Sequence, residues 1–389
     1  MPRRYRWEFV LSAVLVALAS VGAESPRRVS TVPVAPDPAA IALNPLTDEA
    51  FVISGRGALT IVDGRTLETT QIPIDSGDPS SVSLAVDPKS DRVFISNVGT
   101  VSVFEHGTGE TRVVPVSPYP GRPVVDIGTQ KVYVPHPYYW GPRLAIGHTI
   151  SVLDEASLEV QEVETGFRPT AIAIDEPRNA IYVALGGDVS VESRTMSILD
   201  GATNARTDVM VGNAPTSVAV DPGRGLVVVA NFGGAWGSAS ISLVEEDSLE
   251  VFDVPVTGYP VEVVVNEATG KAYVATISPD RLFELDEQTH FMRDIPVPAR
   301  VTRLAVDSAR NRIYALHAGE SPSYGNTVTL IDGATLESVA VVVGTQPVDI
   351  AVDSARDTAW VINDGDGTVS VIYGEFAPCG RCPRTIPLR

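Results

Sequence analysis

The chain has 389 residues, of which 44% are hydrophobic and 20% are charged, a globular composition rather than a disordered or collagenous one. Its net charge of −19 at pH 7 repels phosphate backbones, so we expect no nucleic-acid partner. Two cysteines are too few for a disulfide scaffold. The length alone predicts two or three domains, unless the chain is built from repeats.

The N-terminal segment has the composition of an export signal. Arg3, Arg4 and Arg6 precede an apolar stretch at 9–21, and small residues lead up to Ala23. A basic head, a short apolar segment and a small-residue cleavage site are typical of a secretory signal peptide. The stretch is shorter than the roughly 20 residues of a membrane-spanning helix. We therefore predict a signal peptide at 1–23 and an exported protein, periplasmic or extracellular, with no transmembrane segment after cleavage.

One unit recurs eight times after this segment. Proline stands six residues before its marker in six units, and an aromatic residue stands seven residues after it in seven units. Only 6% of the chain is aromatic, so chance does not account for that register. Repeats of about 44 residues are typical of propeller blades. The marker, called the anchor residue, is an Asp or Asn that closes an apolar run every 39 to 49 residues: Asn44, Asp87, Asp126, Asp175, Asp221, Asn266, Asp307 and Asp353.

Each unit predicts four short strands. The first is the apolar run before the anchor, the second carries the aromatic residue, the third alternates apolar and polar residues, and the fourth is rich in valine. In seven units the third strand ends in an acid that is followed three residues later by Thr or Ser. The side-chain oxygens of such pairs bond to the local backbone in tight turns. The seven acids are Asp63, Glu105, Asp154, Asp200, Glu245, Asp286 and Asp332.

The eighth unit lacks a fourth strand, and Tyr373 stands where the acid is expected. A segment at 29–34, before the first unit, has the pattern of a fourth strand. We therefore predict an all-β protein, an eight-bladed β-propeller of four-stranded antiparallel blades at 24–373. Pairing of the N-terminal strand with the last blade would close the ring. Seven blades is the alternative, with the third unit as the weakest member, and 374–389 would form a C-terminal tail.

The repeat resembles the YVTN-type β-propellers of exported bacterial and archaeal surface-layer-like proteins. The resemblance covers nearly the whole chain after residue 23. It implies the propeller fold and an extracytoplasmic binding or surface role, without an agreed activity. The matching segments are Phe94-Ile95-Ser96-Asn97, Val228-Val229-Ala230-Asn231, Trp360-Val361-Ile362-Asn363, Ile331-Asp332, and Val341-Val342-Val343-Gly344 before Pro347.

The two faces of a propeller differ in their connections. The connections between second and third strands, and those between fourth and first strands, lie on one face, called the loop face. The tight turns between first and second strands and between third and fourth strands lie on the opposite face, called the turn face. Long second-to-third loops are predicted at 135–148, 185–195, 231–238 and 317–326, in blades 3, 4, 5 and 7. Loops on a rigid scaffold commonly bind ligands, and aromatic residues make strong contacts. We predict ligand or partner contacts by His136, Tyr138, Tyr139, Trp140, Arg143, His148, Phe232, Trp236, His317 and Tyr324; the alternative is that they pack on one another over the channel mouth.

The sequence contains no His spacing of metal-site type, serine elbow or phosphate loop. We therefore predict no metal, no cofactor and no catalytic residue. In an exported protein, Cys379 and Cys382 of the tail favour an intrachain disulfide. A redox pair would need a helical context, and covalent haem would need a His where Pro383 stands.

Three functions remain open from the sequence. We favour a monomeric, non-enzymatic binding or scaffold module that presents its loop face to a protein, a glycan or a small-molecule ligand. The second is a lyase or lactonase at the channel mouth, which needs His136, His148 or His317 to converge with carboxylates. The third is a structural component of the envelope or surface layer.

Overall fold

The computed structural model describes residues 29–55, 57–74, 83–139, 145–186, 193–234, 237–317 and 325–374, without the side chains of 139, 145 and 146. These residues form 32 strands in eight four-stranded sheets. The predicted all-β, eight-bladed propeller is confirmed, and the seven-bladed alternative is wrong. Among the described residues, no helix is long and apolar enough to cross a membrane.

Each blade is an antiparallel meander whose first strand contacts the first strands of the neighbouring blades and therefore lies next to the central channel. The first strands of blades 1 to 8 are β2 (Pro38–Asn44), β6 (Ser83–Asp87), β10 (Val124–Asp126), β14 (Pro169–Asp175), β18 (Pro215–Asp221), β22 (Tyr259–Asn266), β26 (Val301–Asp307) and β30 (Pro347–Asp353). The second strands are β3 (Glu49–Ser54), β7 (Arg92–Asn97), β11 (Lys131–Tyr139), β15 (Ala180–Leu185), β19 (Leu226–Asn231), β23 (Lys271–Ile277), β27 (Arg312–His317) and β31 (Thr358–Asn363).

The two outer strands follow in the same order. The third strands are β4 (Ala58–Asp63), β8 (Thr100–Glu105), β12 (Ala145–Asp154), β16 (Thr195–Asp200), β20 (Ser240–Glu245), β24 (Arg281–Asp286), β28 (Thr327–Asp332) and β32 (Thr368–Tyr373). The fourth strands are β5 (Thr69–Pro73), β9 (Glu110–Pro115), β13 (Val160–Glu164), β17 (Arg206–Met210), β21 (Val251–Pro255), β25 (Met292–Ile295), β29 (Ser338–Val342) and, from the N-terminus, β1 (Val29–Pro33).

The first strand of the chain belongs to the last blade. β1 pairs antiparallel with β32, in the register Val29↔Ile372 to Pro33↔Thr368. Blade 1 also bonds to blade 8, because the backbone N–H of Ile41 donates to Asp349 Oδ2 over 3.3 Å. Val32 and Ile41 share one apolar cluster with Trp360, so the two ends of the repeat pack together.

The core lies between neighbouring blades. Phe51 and Ile53 of blade 1, for example, pack with Leu84 and Phe104 of blade 2. Full burial of one such side chain contributes roughly 1.5–3 kcal/mol. The aromatic residues predicted from the repeat belong to this core, each at most 4% exposed: Phe51, Phe94, Tyr133, Tyr182, Tyr273, Tyr314 and Trp360.

The turn face confirms the predicted turns after the third strands, and the anchor residues cap the turns after the first strands in the same way. Asn44 Oδ1 accepts the backbone N–H of Leu46 over 2.9 Å, and Asp63 Oδ1 accepts those of Arg65 and Thr66 over 2.8 and 2.7 Å. These backbone donors, Thr66 first, hold the pKa of Asp63 below its usual range. Ionised acids are therefore stable in these turns. Part of the excess of acidic residues is thus explained by their role as acceptors for backbone N–H groups in the turns.

Blade 3 departs from the predicted loop at 135–148. β11 continues to Tyr139 and β12 begins at Ala145, so most of this segment is an extended hairpin with a bulge between His136 and Tyr138. β10 is only three residues long and its pairing ends at Val124↔Tyr133, so beyond Tyr133 that side of β11 has no paired strand; the backbone N–H of Gly121 donates to the Pro135 carbonyl there over 2.7 Å. An edge tolerates proline, since no ladder hydrogen bond is lost there.

Candidate functional site

The predicted contact residues divide into three groups. His136 and His317 are buried, whereas Tyr138, His148 and Phe232 are partly buried on the loop face. Tyr139 lies at the end of β11. The predicted signal peptide at 1–23, the predicted disulfide pair and four further predicted contact residues fall outside the described ranges: Trp140, Arg143, Trp236, Tyr324, Cys379 and Cys382.

The ring of His317 lies inside its own blade, 1% exposed. Its Nδ1 faces the carbonyl oxygens of Ala299 and Arg300 at 3.0 and 3.3 Å, and its Nε2 lies 2.7 Å from Thr329 Oγ1. Because a carbonyl can only accept, the neutral ring donates from Nδ1 and accepts the Thr329 hydroxyl at Nε2. Burial lowers the pKa of His317.

His136 has the same position in blade 3 and is fully buried. Its Nε2 lies 2.7 Å from Ser151 Oγ, and its Nδ1 lies 3.3 Å from the carbonyl oxygen of Pro118. Burial lowers its pKa, although nearby Glu162 opposes the shift. Both nitrogens therefore face protein partners, which places this histidine beneath the loop face.

The repeat explains why these histidines are buried. Both stand ten residues after the anchor, where three other blades place an asparagine. Asn231 Nδ2 donates to Ser242 Oγ over 2.8 Å, as Asn97 and Asn363 do to the serines of their own third strands. The position holds Ser54, Asn97, His136, Leu185, Asn231, Thr276, His317 and Asn363, all at most 2% exposed. Counting from the anchor would have identified them as structural.

A chain of polar groups in blade 3 has the residue types of a catalytic site. His136 contacts Ser151, and Ser151 Oγ donates to Glu162. In a hydrolase the histidine lies between the acid and the serine, whereas here the serine lies between the other two. Blade 5 builds the same chain as Asn231–Ser242–Asp253, without a base. The arrangement therefore braces the sheet. His136 and His317 are held in separate blades, and His148 packs on Phe167.

The loop face carries a cluster between blades 3 and 4. Arg168 Nη2 donates to the hydroxyl of Tyr138 over 2.6 Å, and the guanidinium carbon lies 5.2 Å from the centre of that ring. His148 stands edge-on to Phe167, with ring centres 4.6 Å apart. Phe167 is 45% exposed. The cluster thus combines packed rings with apolar surface open to solvent.

A second aromatic pair joins blades 5 and 6. Phe232, in the second-to-third connection of blade 5, stacks on Tyr259 at the start of β22, with ring centres 4.8 Å apart and planes at 19°. Tyr259 remains 38% exposed. The rings therefore pack on one another and still present surface to solvent, and contact with a ligand or partner stays a prediction.

Four charged side chains meet inside the channel. Arg122 Nη1 of blade 3 lies 3.7 Å from Asp349 Oδ1 of blade 8, and Arg303 Nε of blade 7 lies 3.8 Å from the same oxygen. Because blades 3 and 8 are three apart in the ring, Arg122 reaches Asp349 across the channel. Asp349 is 4% exposed, whereas the arginine side chains are 51% and 50% exposed. Glu262 of blade 6 completes the group, which we call the channel cluster.

The environment of Glu262 sets its protonation. Its Oε2 accepts the backbone N–H of Leu304 over 3.1 Å. Burial raises its pKa to about 7; Arg303 lowers the pKa and Asp349 raises it further. All four cluster residues stand four positions before an anchor, near the loop-face end of the first strand. The sequence analysis missed them, and this shared register was the available signal.

The turn face has its own polar features. A cleft of about 790 Å³ includes Arg310, Arg312 and Arg356. These arginines are paired with Asp307, Asp353 and Asp357, so acids of the turns neutralise their charge. Of the residues that the structure describes, one group of three could ligate a metal: Glu49, Asp91 and His106.

Comparisons with known proteins extend only to the fold. No protein-family model and no curated protein matches the chain. Hydrazine synthase of Kuenenia stuttgartiensis has a similar structure, with a TM-score of 0.58 and 15% identity over 87% of this chain and 96% of that one. Sqt1 of Saccharomyces cerevisiae has a TM-score of 0.68 and 10% identity over 88% of this chain and 97% of that one. At such identities a shared propeller does not indicate a shared activity.

Proposed function

We propose that the protein is an exported propeller of YVTN type that acts as a non-enzymatic binding module through its loop face. One observation carries the proposal: the repeat is regular on the turn face and irregular on the loop face. The turn face repeats the same acid-capped turns around the ring. The loop face instead carries two unlike aromatic groups around a channel mouth that contains charge.

One repeat position shows this variation directly. Seven residues before the anchor, at the entry to the first strand, stand residues of different charge and size, with exposed or half-buried side chains. Residue types also vary at the structural position ten residues after the anchor, but the side chains there are buried, whereas these are at least partly open to solvent. The described members of this position are Asp37, Tyr119, Arg168, Ala214, Tyr259, Arg300 and Gln346.

The chemistry of this surface fits a protein or glycan partner. Exposed aromatic rings such as Phe167 and Tyr259 supply large contact areas at a small cost in side-chain entropy. The half-exposed guanidiniums of Arg122 and Arg303 add donors at the channel mouth. Partner binding by propeller faces without catalysis needs only such a rigid, variable surface.

The test compares two faces of one molecule. Mature protein is immobilised and probed with an envelope extract and a glycan array. The loop-face double variant Phe167→Ala/Tyr259→Ala is compared with Phe252→Ala/Phe291→Ala, which removes two rings that are 51% and 64% exposed on the turn side. We expect the wild type and the turn-side variant to retain the same partner and the loop-face variant to lose most of it. Equal retention by all three would contradict the proposal.

A further inference from the structure

The turn face contains one interface that differs chemically from the others. Glu49 begins β3 of blade 1, Asp91 closes the turn before β7 of blade 2, and His106 begins the turn after β8 of the same blade. The backbone N–H of His106 donates to the carbonyl of Asp91 over 3.3 Å, so the two turns of blade 2 hold each other in place. The three side chains meet between the blades.

The geometry of this group is compact. His106 Nδ1 lies 2.9 Å from Asp91 Oδ2 and 3.5 Å from Glu49 Oε2. One ligand atom from each residue can be chosen so that all lie within 4.8 Å of one another. Asp91 Oδ1 accepts the amide of Asn44 over 2.7 Å, which orients the carboxylate. Hydrogen bonds of this kind support metal ligands in many sites.

A buried acceptor in the group has no hydrogen-bond donor. Glu49 Oε2 is enclosed and receives no hydrogen bond, although it faces the imidazole of His106. A carboxylate oxygen enclosed without a donor is costly unless a cation compensates it. This oxygen points to the same place as His106 Nδ1 and Asp91 Oδ2.

Comparison with the other blades shows what is missing. The residue five positions after the anchor is Glu49 in blade 1, but a base in four blades: Arg92, Lys131, Lys271 and Arg312. Three of these bases bond to the facing turn of the next blade, as Arg312 Nη1 does to Asp357 Oδ1 over 2.5 Å, whereas Lys271 pairs with Asp286 of its own blade. At the interface of blades 1 and 2 an acid replaces the base, and a histidine stands where other blades have Gly or Glu. Within the described part of the chain, two carboxylates thus meet there without an Arg or Lys between them.

We propose that Glu49, Asp91 and His106 form a binding site for a divalent transition-metal cation such as Zn²⁺, at the interface of blades 1 and 2. Two carboxylates and one imidazole suit a borderline cation, whereas Ca²⁺ prefers six to eight oxygen ligands. Phe51 and Phe104 flank the ring of His106, at 5.5 and 6.2 Å between centres, and limit its rotation. The ligating side chains are 19–30% exposed, which leaves room for water ligands and for entry of the ion.

Binding would move one proton and cross-link two blades. The Nδ1 lone pair must face the cation, so the neutral ring keeps its proton on Nε2 and the Nδ1 contact to Asp91 is replaced by coordination. Glu49 comes from blade 1 and the other two ligands from blade 2. A cation that binds only the folded chain stabilises it by mass action.

The experiment is Zn²⁺ titration calorimetry on chelator-treated mature protein at pH 7.5, with thermal unfolding in parallel. The reference protein, called the wild type in this assay, and every variant carry Cys379→Ser and Cys382→Ser, because two thiols in the tail could bind zinc themselves. We expect one Zn²⁺ per chain and a higher Tm with Zn²⁺. His106→Ala and the isosteric Glu49→Gln should each weaken binding at least tenfold and abolish the Tm increase. His290→Ala is the matched control, because His290 is a turn-face histidine that packs on Phe252 instead.

Two outcomes would overturn the proposal. The first is equal Zn²⁺ binding by the wild type and by Glu49→Gln, which would place the ion elsewhere. The second is a wild type that binds no Zn²⁺ while His106→Ala lowers the Tm. That result would make the group an ion pair in which protonated His106 bridges the two acids. Glu49→Gln keeps the volume of the side chain, so the test remains decisive if His106→Ala fails to fold.

Discussion

His317 Nε2 lies 2.7 Å from Thr329 Oγ1, and this contact joins the second and third strands of blade 7 where Asn363 joins Ser370 in blade 8. The sequence alone makes His317 a candidate ligand, but in the structure it makes the same contact between the second and third strands that asparagine makes in other blades. Residues at one repeat position have one role, and the residues that break the repeat are the better candidates for function.

The brace predicts the behaviour of His317 variants. His317→Ala leaves the Thr329 hydroxyl and the Ala299 carbonyl without this partner and opens a cavity, so we expect a loss of about 2–4 kcal/mol in the free energy of unfolding. His317→Asn should recover at least half of this loss, because asparagine is the residue used in three other blades. Denaturant unfolding measures both. His148→Ala, at a half-buried site, is the control and should cost less than about 1 kcal/mol.

The pairing of β1 with β32 predicts that the N-terminal strand stabilises the whole ring. Val32 is 5% exposed and pairs with Val369, whereas Val342 is 63% exposed on the equivalent strand of blade 7. Val32→Asp buries a carboxylate without a partner, so we expect a loss of about 3 kcal/mol or more. Val342→Asp should remain within about 0.5 kcal/mol of the wild type. Equal Tm values for the two variants would contradict the role of β1 in the last blade.

Acid pairs between blades predict that stability falls as the pH rises. Glu155 lies against Asp87, and Glu246 lies against Asp175. Burial is the main cause that raises the pKa of Glu155 and that of Glu246 to about 7, and the neighbouring Asp87 and Asp175 add to the shift. Hydrogen bonds from Ser90 and Tyr182 oppose it. Burial also raises the pKa of Glu287, with Asp221 and Asp286 adding to the shift and Arg224 opposing it.

The sign follows from linkage. A glutamate whose pKa is higher in the folded than in the unfolded state keeps its proton to higher pH when the protein is folded. Its contribution to folding stability is therefore complete below about pH 4.5 and is lost as the pH rises through about 7. His136 and His317, whose pKa values are lowered by burial, act in the opposite direction over the same range. We therefore expect Glu287→Gln to raise the Tm at pH 8, relative to the Tm at pH 5, by several degrees compared with the wild type; Glu110→Gln, at an exposed position, should leave the difference unchanged. The same difference in Glu287→Gln and in the wild type would show that this pair ionises without cost.

The fold could be predicted because the same strand and turn pattern occurs in eight units of the sequence. The anchor ends all eight first strands, the acids at 63, 105, 154, 200, 245, 286 and 332 end the third strands, and β1 joins the blade that lacks a fourth strand. Blade 3 was harder, because the segment 135–148 was predicted as a loop, whereas the short β10 leaves β11 without a paired strand on one side, where proline is tolerated. The pattern of one segment does not show how long its partner strand is.

The site was predicted less well, for two physical reasons. His136 and His317 were expected on the loop face because they lie in the long loops predicted at 135–148 and 317–326, yet a buried ring with partners at both nitrogens is stable. Arg122 and Asp349 are 227 residues apart in the sequence and meet only because the ring brings blades 3 and 8 across one channel. Their shared position before the anchor places them at one height but does not show that they touch.

The central claim is that the loop face binds the partner and the turn face is structural. Hydrogen–deuterium exchange of the mature protein, alone and with the partner captured in the binding assay, tests it directly. We predict slower exchange in the loop-face segments 117–123, 165–169, 231–234 and 257–260 on binding, with no change in the turns at 45–48, 222–225 and 287–290. Protection confined to those turns, with unchanged exchange at the four loop-face segments, would contradict the account.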